Sequence, residues 1–279
     1  MPFSSVRSAL AVAASLVLAG VLASGCSEDP PVSAADDDAG TVSEVDSSAQ
    51  AEAADETVDL PSEEDLQEYF DAAAGYDVAQ LEEARALAEP GSIAEAYVGY
   101  LAASMTAYVD GGAPGLEGTT AEREGDGYEF CPDPTDDDTC LLFENIEGRD
   151  GKIVNFTING ESLDERLSVG SKKPARAGEL GSARLLYAYQ SVQSGALFVI
   201  AEVRSGQEPV TVASYEATYR SPKGRQSKAT EFQGPSDLGA DSTANISLAF
   251  PGAEPGGTAT LKFFSDDFMT EKVVELKTR

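Results

Sequence analysis

The chain has 279 residues, with 49 acidic side chains against 19 basic ones and a formal net charge of −30 at neutral pH. That balance argues against nucleic acid as a partner, since phosphate binding needs a basic surface. There is no histidine, which removes Ser-His-Asp and Cys-His nucleophile activation together with the commonest zinc sites.

Arg7 precedes an apolar run, Ala9 to Val21, which ends in Leu22-Ala23-Ser24-Gly25-Cys26 before a polar, acidic stretch. A positive residue, a short apolar run and small residues at its end read as a secretory signal peptide, and the run is short for a transmembrane helix. The junction resembles the lipobox of bacterial lipoproteins, with Ala23 where Leu is commonest. The resemblance implies that residues 1–25 are a signal peptide removed from the mature protein, which then begins at Cys26 with a diacylglycerol on its sulfur. Two acyl chains anchor stably where one is marginal, at about 0.8 kcal/mol per buried CH₂. The implied location is the outer face of the cytoplasmic membrane, extracytoplasmic, with the membrane a partner through the lipid on Cys26. The alternative is an ordinary secretory signal peptide with a chance cysteine near its end. The Ala-, Gly- and Asp-rich composition suggests a high-GC bacterium, an actinobacterium.

From Ser27 to about Leu60 there is no Lys, Arg, aromatic residue or regular apolar period, which is the composition of disorder. Residues 26–61 are therefore expected to be a lipid-anchored, disordered acidic tether. As a flexible coil its ends would lie roughly 30–35 Å apart, and repulsion among its carboxylates would stretch it. The acidity is concentrated at the front of the chain: residues 1–169 carry 37 acidic and 6 basic side chains, whereas residues 170–279 carry 12 and 13. A salt-adapted organism would acidify both halves, so salt adaptation explains this distribution poorly.

Residues 62–170 are expected to form an α+β domain, helices followed by an antiparallel sheet. Ser62-Glu63-Glu64-Asp65 reads as an N-cap with acidic first-turn residues, and helical character runs to Gly75 and again from about Val78 to Ala88. Ser92-Ile93-Ala94-Glu95 is a capping box. It opens a helix whose apolar positions Ile93, Tyr97, Leu101, Met105, Tyr108 and Val109 share one face. Strands are expected at Tyr128 to Cys131 and Thr139 to Ile146, then across an Asp150-Gly151 hairpin turn. In the last strand Val154, Phe156 and Ile158 alternate with Asn155, Thr157 and Asn159. Cys131 and Cys140, an even pair in an oxidising compartment, read as a disulfide. Asp133, Asp136, Asp137 and Asp138 crowd the loop between them. Clustered oxygen ligands suit calcium, but the EF-hand pattern is absent and a solvated loop tip is the competing reading. In element order this region resembles the nuclear-transport-factor-2-like and ketosteroid-isomerase-like superfamily, which implies helices packed into a bent sheet.

Gly170 to Gly181 reads as an interdomain connection. Residues 178–279 then carry short strands separated by Gly, Pro, Ser and Asp clusters: Leu185 to Tyr189, Ala196 to Arg204, Val210 to Tyr219, Ala229 to Phe232, Thr243 to Phe250, Thr258 to Phe264 and Thr270 to Leu276. This spacing is that of an all-β sandwich. The segments Leu197 to Val203, Tyr219 to Gly224 and Pro255 to Phe263 are together similar to the immunoglobulin-like domains of unknown function attached to many Gram-positive lipoproteins. The resemblance implies an extracellular module without a known catalytic site. Arg220, Lys223, Arg225 and Lys228 cluster on a hairpin. They are either an exposed, solubilising turn or a contact to a cell-wall polymer, phospholipid or an acidic envelope protein.

There is no G-x-S-x-G, Ser-x-x-Lys, Walker loop or dinucleotide fingerprint, and no cofactor is expected. The expected function is binding or scaffolding in the cell envelope, without enzyme activity. The alternatives are an enzyme with a carboxylate and Tyr pocket in the α+β domain, or a calcium-dependent adhesion module.

Overall fold

Three helices come first. In the computed structural model, which describes residues 59–114, 116, 118–132 and 139–278, Ser62 caps α1 (Glu63–Gly75) by accepting from the Asp65 backbone N–H at 3.1 Å. Glu63, Glu64 and Asp65 fill the first turn, where the helix dipole favours negative charge. Asp77 caps α2 (Val78–Ala84), and a 3₁₀ turn, Arg85–Leu87, carries the chain to Pro90. Ser92 caps α3 (Ile93–Asp110) by accepting from Glu95 N–H at 3.1 Å. Glu95 reaches back one residue further than the usual box and accepts from Gly91 N–H at 2.7 Å. The expected signal peptide, Cys26, the expected tether as far as residue 58, and Asp133, Asp136, Asp137 and Asp138 lie outside the described residues.

A five-stranded antiparallel meander follows in the order β1 (Glu122–Glu124), β2 (Gly127–Phe130), β3 (Leu141–Arg149), β4 (Lys152–Ile158) and β5 (Glu161–Ser162). Asp150 and Gly151 both take positive φ, 50° and 70°, as a two-residue hairpin turn requires. The buried face of β4 differs from the expected alternation: Ile153, Phe156 and Ile158 are buried and Val154 is not. Gly148 pairs with Ile153 but Glu147 pairs with Asn155, so Val154 is an extra residue, a β-bulge. A second irregularity sets Asn145 and Ile146 of β3 opposite Phe156 alone, with Asn145 at φ 52°. A one-residue slip exchanges the faces of a strand, and that replaces Val154 by Ile153 in the core.

The remaining strands form two six-stranded antiparallel sheets. One contains β6 (Leu167–Val169), β7 (Ala175–Arg176), β8 (Gly181–Gln190), β9 (Leu197–Ser205), β13 (Glu231–Gln233) and β15 (Thr243–Phe250), in the order β13-β15-β9-β8-β6 with β7 also on β8. The other contains β10 (Val210–Val212), β11 (Thr218–Arg220), β12 (Gln226–Lys228), β14 (Asp237–Leu238), β16 (Thr258–Ser265) and β17 (Glu271–Lys277). Its order is β12-β11-β16-β10-β14, with β17 also on β16. The expected strand from Val210 to Tyr219 is broken by a 3₁₀ turn at Ser214–Glu216, and both pieces pair with β16. Leu167–Val169 pairs with Tyr187–Tyr189, and the stretch read as a connection contributes β7.

Val199, Val203, Ile246 and Phe250 of the first sheet meet Val212, Tyr219, Leu261 and Phe263 of the second in one buried core. The opposite face of the first sheet supplies Tyr189 and Ile200 to a different core, shared with the helices and the meander. Consequently α3 is buried on more than one face. Tyr97, Leu101 and Met105 are covered as expected, but so are Ala94, Val98, Ala102 and Ala107, whereas Val109 is 59% exposed. A helix buried nearly all round belongs to an inner layer. Asn245 of β15 ties the C-terminal end of α3 down: its N–H donates to Asp110 at 2.8 Å and its Nδ2 to the Ala103 carbonyl at 3.3 Å. The described residues thus form a mostly β molecule with its few helices at the front, all within the compact unit Asp55–Arg279.

Candidate functional site

The space between the helices and the meander is filled by rings. Phe70 stacks on Tyr128 at a centroid distance of 4.7 Å, and Phe156 receives Phe70, Tyr97 and Phe143 edge-on at 5.7, 5.5 and 5.4 Å. Offset and edge-on geometries of this kind add to the area each ring buries. Tyr69 donates its hydroxyl to the Ala94 carbonyl at 2.8 Å. Burial pushes the Tyr69, Tyr97 and Tyr100 phenols well above their ordinary range. The Tyr128 hydroxyl is buried with no partner among the described residues.

Polar groups converge instead in a cleft of about 440 Å³ where α2, α3 and the β8 side of the first six-stranded sheet meet. Arg85, just after α2, binds Glu82 at 3.1 Å and Glu95 of α3 at 3.4 Å. Arg184 and Glu202 are direct cross-strand partners on β8 and β9, with an N–O distance of 3.0 Å. The Arg184 Nε is buried and has no hydrogen-bond partner among the described residues. Tyr187 leans against α3 at Gly99, where a Cβ would stand 2.3 Å from its hydroxyl oxygen. Glycine at this position is what lets the ring approach the helix. The Tyr187 phenol is raised, chiefly by burial; Arg85 opposes the shift, while Glu95 and Glu82 add to it. It is therefore a neutral hydroxyl at physiological pH. Thr106, Ser171, Lys172 and Asn245 complete the polar lining. A second cleft, about 510 Å³, lies along α1 and α2 and is acidic, with Glu64, Glu68, Asp71 and Glu83.

The four basic residues expected at a hairpin tip do fall on the β11–β12 hairpin, but they are not four free cations. Lys223 pairs with Glu254 at 3.0 Å and Arg225 donates to the Gly252 carbonyl. Arg220 and Lys228 are exposed, with no partner among the described residues. The sulfurs of Cys131 and Cys140 stand at disulfide distance, 1.99 Å. The pair comes directly after the last ladder pair of β2 and β3, Phe130 with Leu141, and so closes the base of the segment that connects the two strands. Among the described residues one group of possible metal ligands gathers, Glu129 with Cys131 and Cys140, and there the disulfide occupies both sulfurs. No helix among the described residues is long and apolar enough to cross a membrane.

Arg85, Arg184 and Tyr187 carry no motif spacing in the sequence. The one available signal was Gly99, since a glycine inside a helix costs about 1 kcal/mol against alanine and usually has a packing reason. Comparison with protein-family models finds none that matches the chain, and comparison with curated proteins finds no matching sequence.

Proposed function

We propose that the chain is an extracytoplasmic lipoprotein, anchored through Cys26, that binds or scaffolds other components of the cell envelope. The observation that carries the binding reading is the ring-packed interior between helices and meander, with charged groups gathered at surface clefts. That arrangement suits recognition more than an enclosed reaction chamber. The leader, the small residues before Cys26 and the acidic stretch to Leu60 support the anchor and a tether that holds the folded part off the membrane.

An immunoglobulin-like reading of the two six-stranded sheets is supported by strand order. With β8, β9, β13 and β15 as strands A, B, D and E, the first sheet reads A-B-E-D. With β11, β16 and β17 as C, F and G, the second reads C-F-G, and β12 adds a C′ strand at its edge. The exposed Arg220 and Lys228 are the partner-binding candidates that remain on the β11–β12 hairpin.

The test is fractionation of bacteria expressing the full chain or its Cys26→Ala variant, followed by capture of native envelope at rising salt. The wild type should sediment with membranes and the variant should appear in the soluble extracytoplasmic fraction. Envelope capture should fade with salt, as exposed charges are screened over about 10 Å at 0.1 M. An unchanged distribution of the variant would count against the anchor, and no capture at any salt against charged-surface binding.

A further inference from the structure

We infer that the cleft between α3 and the β8 side of the first six-stranded sheet is a binding site for a small oxyanion, a carboxylate or a phosphate, held by Arg184, Tyr187 and Lys172. This inference rests on the binding-module reading above and is independent of the anchor at Cys26.

The first support is charge. Arg85, Lys172 and Arg184 line the cleft. Glu82 and Glu95 hold Arg85, and Glu202 holds one side of Arg184. Among the described residues that leaves Lys172 as the cleft's unpaired cation, in a protein whose net charge is −30. A cation without a partner beside a cleft is a point where an anion gains attraction. The second support is unmet donors. The Arg184 Nε–H is buried with no partner among the described residues, and a buried donor without a hydrogen bond is costly. Glu202 engages the other side of the same guanidinium, at NH2. The Tyr187 hydroxyl and the Lys172 ammonium likewise have no hydrogen-bond partner among the described residues. An oxyanion accepts from all three groups, and a ligand cation from none. The third support is construction. Gly99 opens the helix surface so that the Tyr187 ring can lie against it, and burial keeps that phenol protonated and donating. Leu185, Leu186 and Val169 add apolar lining, which accommodates a carbon skeleton bearing the anionic group.

The experiment is calorimetric titration of the full chain in detergent micelles with two separate probes, inorganic phosphate and benzoate. The expected result is saturable binding of at least one probe, weakened roughly tenfold or more by Arg184→Gln and by Tyr187→Phe. Tyr187→Phe keeps the ring packed, and Lys172→Gln alters only an exposed side chain. These two variants therefore carry the test if Arg184→Gln fails to fold. Binding of phosphate alone assigns the site to phosphates, and binding of benzoate alone to organic acids. No saturable binding of either probe up to about 10 mM, a concentration that would reveal millimolar affinity, overturns the inference. So does binding that all three variants leave unchanged. Membrane fractionation reports separately on Cys26, so failure here is distinguishable from failure of the anchor.

Discussion

Tyr189 lies in the core shared by the helices and the first six-stranded sheet, and burial pushes its phenol up to about 12. Tyr69, Tyr97 and Tyr100 move in the same direction for the same first reason, loss of water around the charged form. Each folded-state value lies above the unfolded one, near 10, so the folded state holds these protons more tightly. Their stabilising contribution is complete below pH of about 10 and is lost as pH rises toward the folded-state values. Alkaline titration should show phenolate absorbance of these rings appearing together with loss of near-ultraviolet ellipticity, above pH of about 10. Phenolate appearing from all of them while the ellipticity stays intact would contradict the burial described here. The sequence identifies these tyrosines as apolar-face residues in part only: Tyr97 falls on the expected stripe of α3, whereas Tyr100 does not. Its cover comes from β8, through Tyr189 at a ring distance of 4.8 Å, and no local pattern encodes that partner.

At the scale of elements, local chemistry was legible and register was not. Ser62 and Ser92 cap the helices that their positions announce, and Asp150-Gly151 makes the expected hairpin turn. Those signals act within a few residues. The bulges at Asn145 and Val154 depend on how β3 and β4 slide past each other, and the alternation of β4 read alone assigns the wrong valine-or-isoleucine neighbour to the core. The Cys131–Cys140 bridge closes a short loop beside the buried ends of β2 and β3. In the chain-entropy model such a loop is worth roughly 2–3 kcal/mol. For a unit of this size, reduction should lower Tm by about 5–10 °C, read by thermal unfolding with and without a thiol reductant. An unchanged midpoint would mean that the meander holds that hairpin without the bridge.

At the scale of the whole molecule, the layers share faces. The first six-stranded sheet is buried on one side by the second sheet and on the other by α3, and its β6 strand comes from before residue 170. A fragment spanning 178–279 would keep the inner core but lose β6 and β7 and uncover Tyr189 and Ile200. It should be less soluble than the full unit and give a lower, broader thermal transition. A fragment as stable as the same sheets in the full chain would mean that α3 contributes little to them. The same sharing explains why the candidate cleft carries no local motif in the sequence: Arg85, Gly99, Arg184 and Glu202 meet only once four separate elements have packed. The two-part reading, helices with a sheet and then two more sheets, followed from turn spacing and strand alternation. The use of one sheet by both parts did not, although the unbroken apolar run Leu197 to Ala201 in β9 is what a strand buried on both faces carries.

The hydrogen bond from Asn245 to Asp110 spans 135 positions of the chain. In the order of synthesis, α3 is finished long before the strand that covers it exists. At about 5–20 residues per second the delay is roughly 7–27 s, far longer than a helix or hairpin needs to form. Throughout that interval the end of α3 that Asn245 ties down lacks its partner, while α2, β4 and β8, which also pack on α3, are all made before Asn245 is.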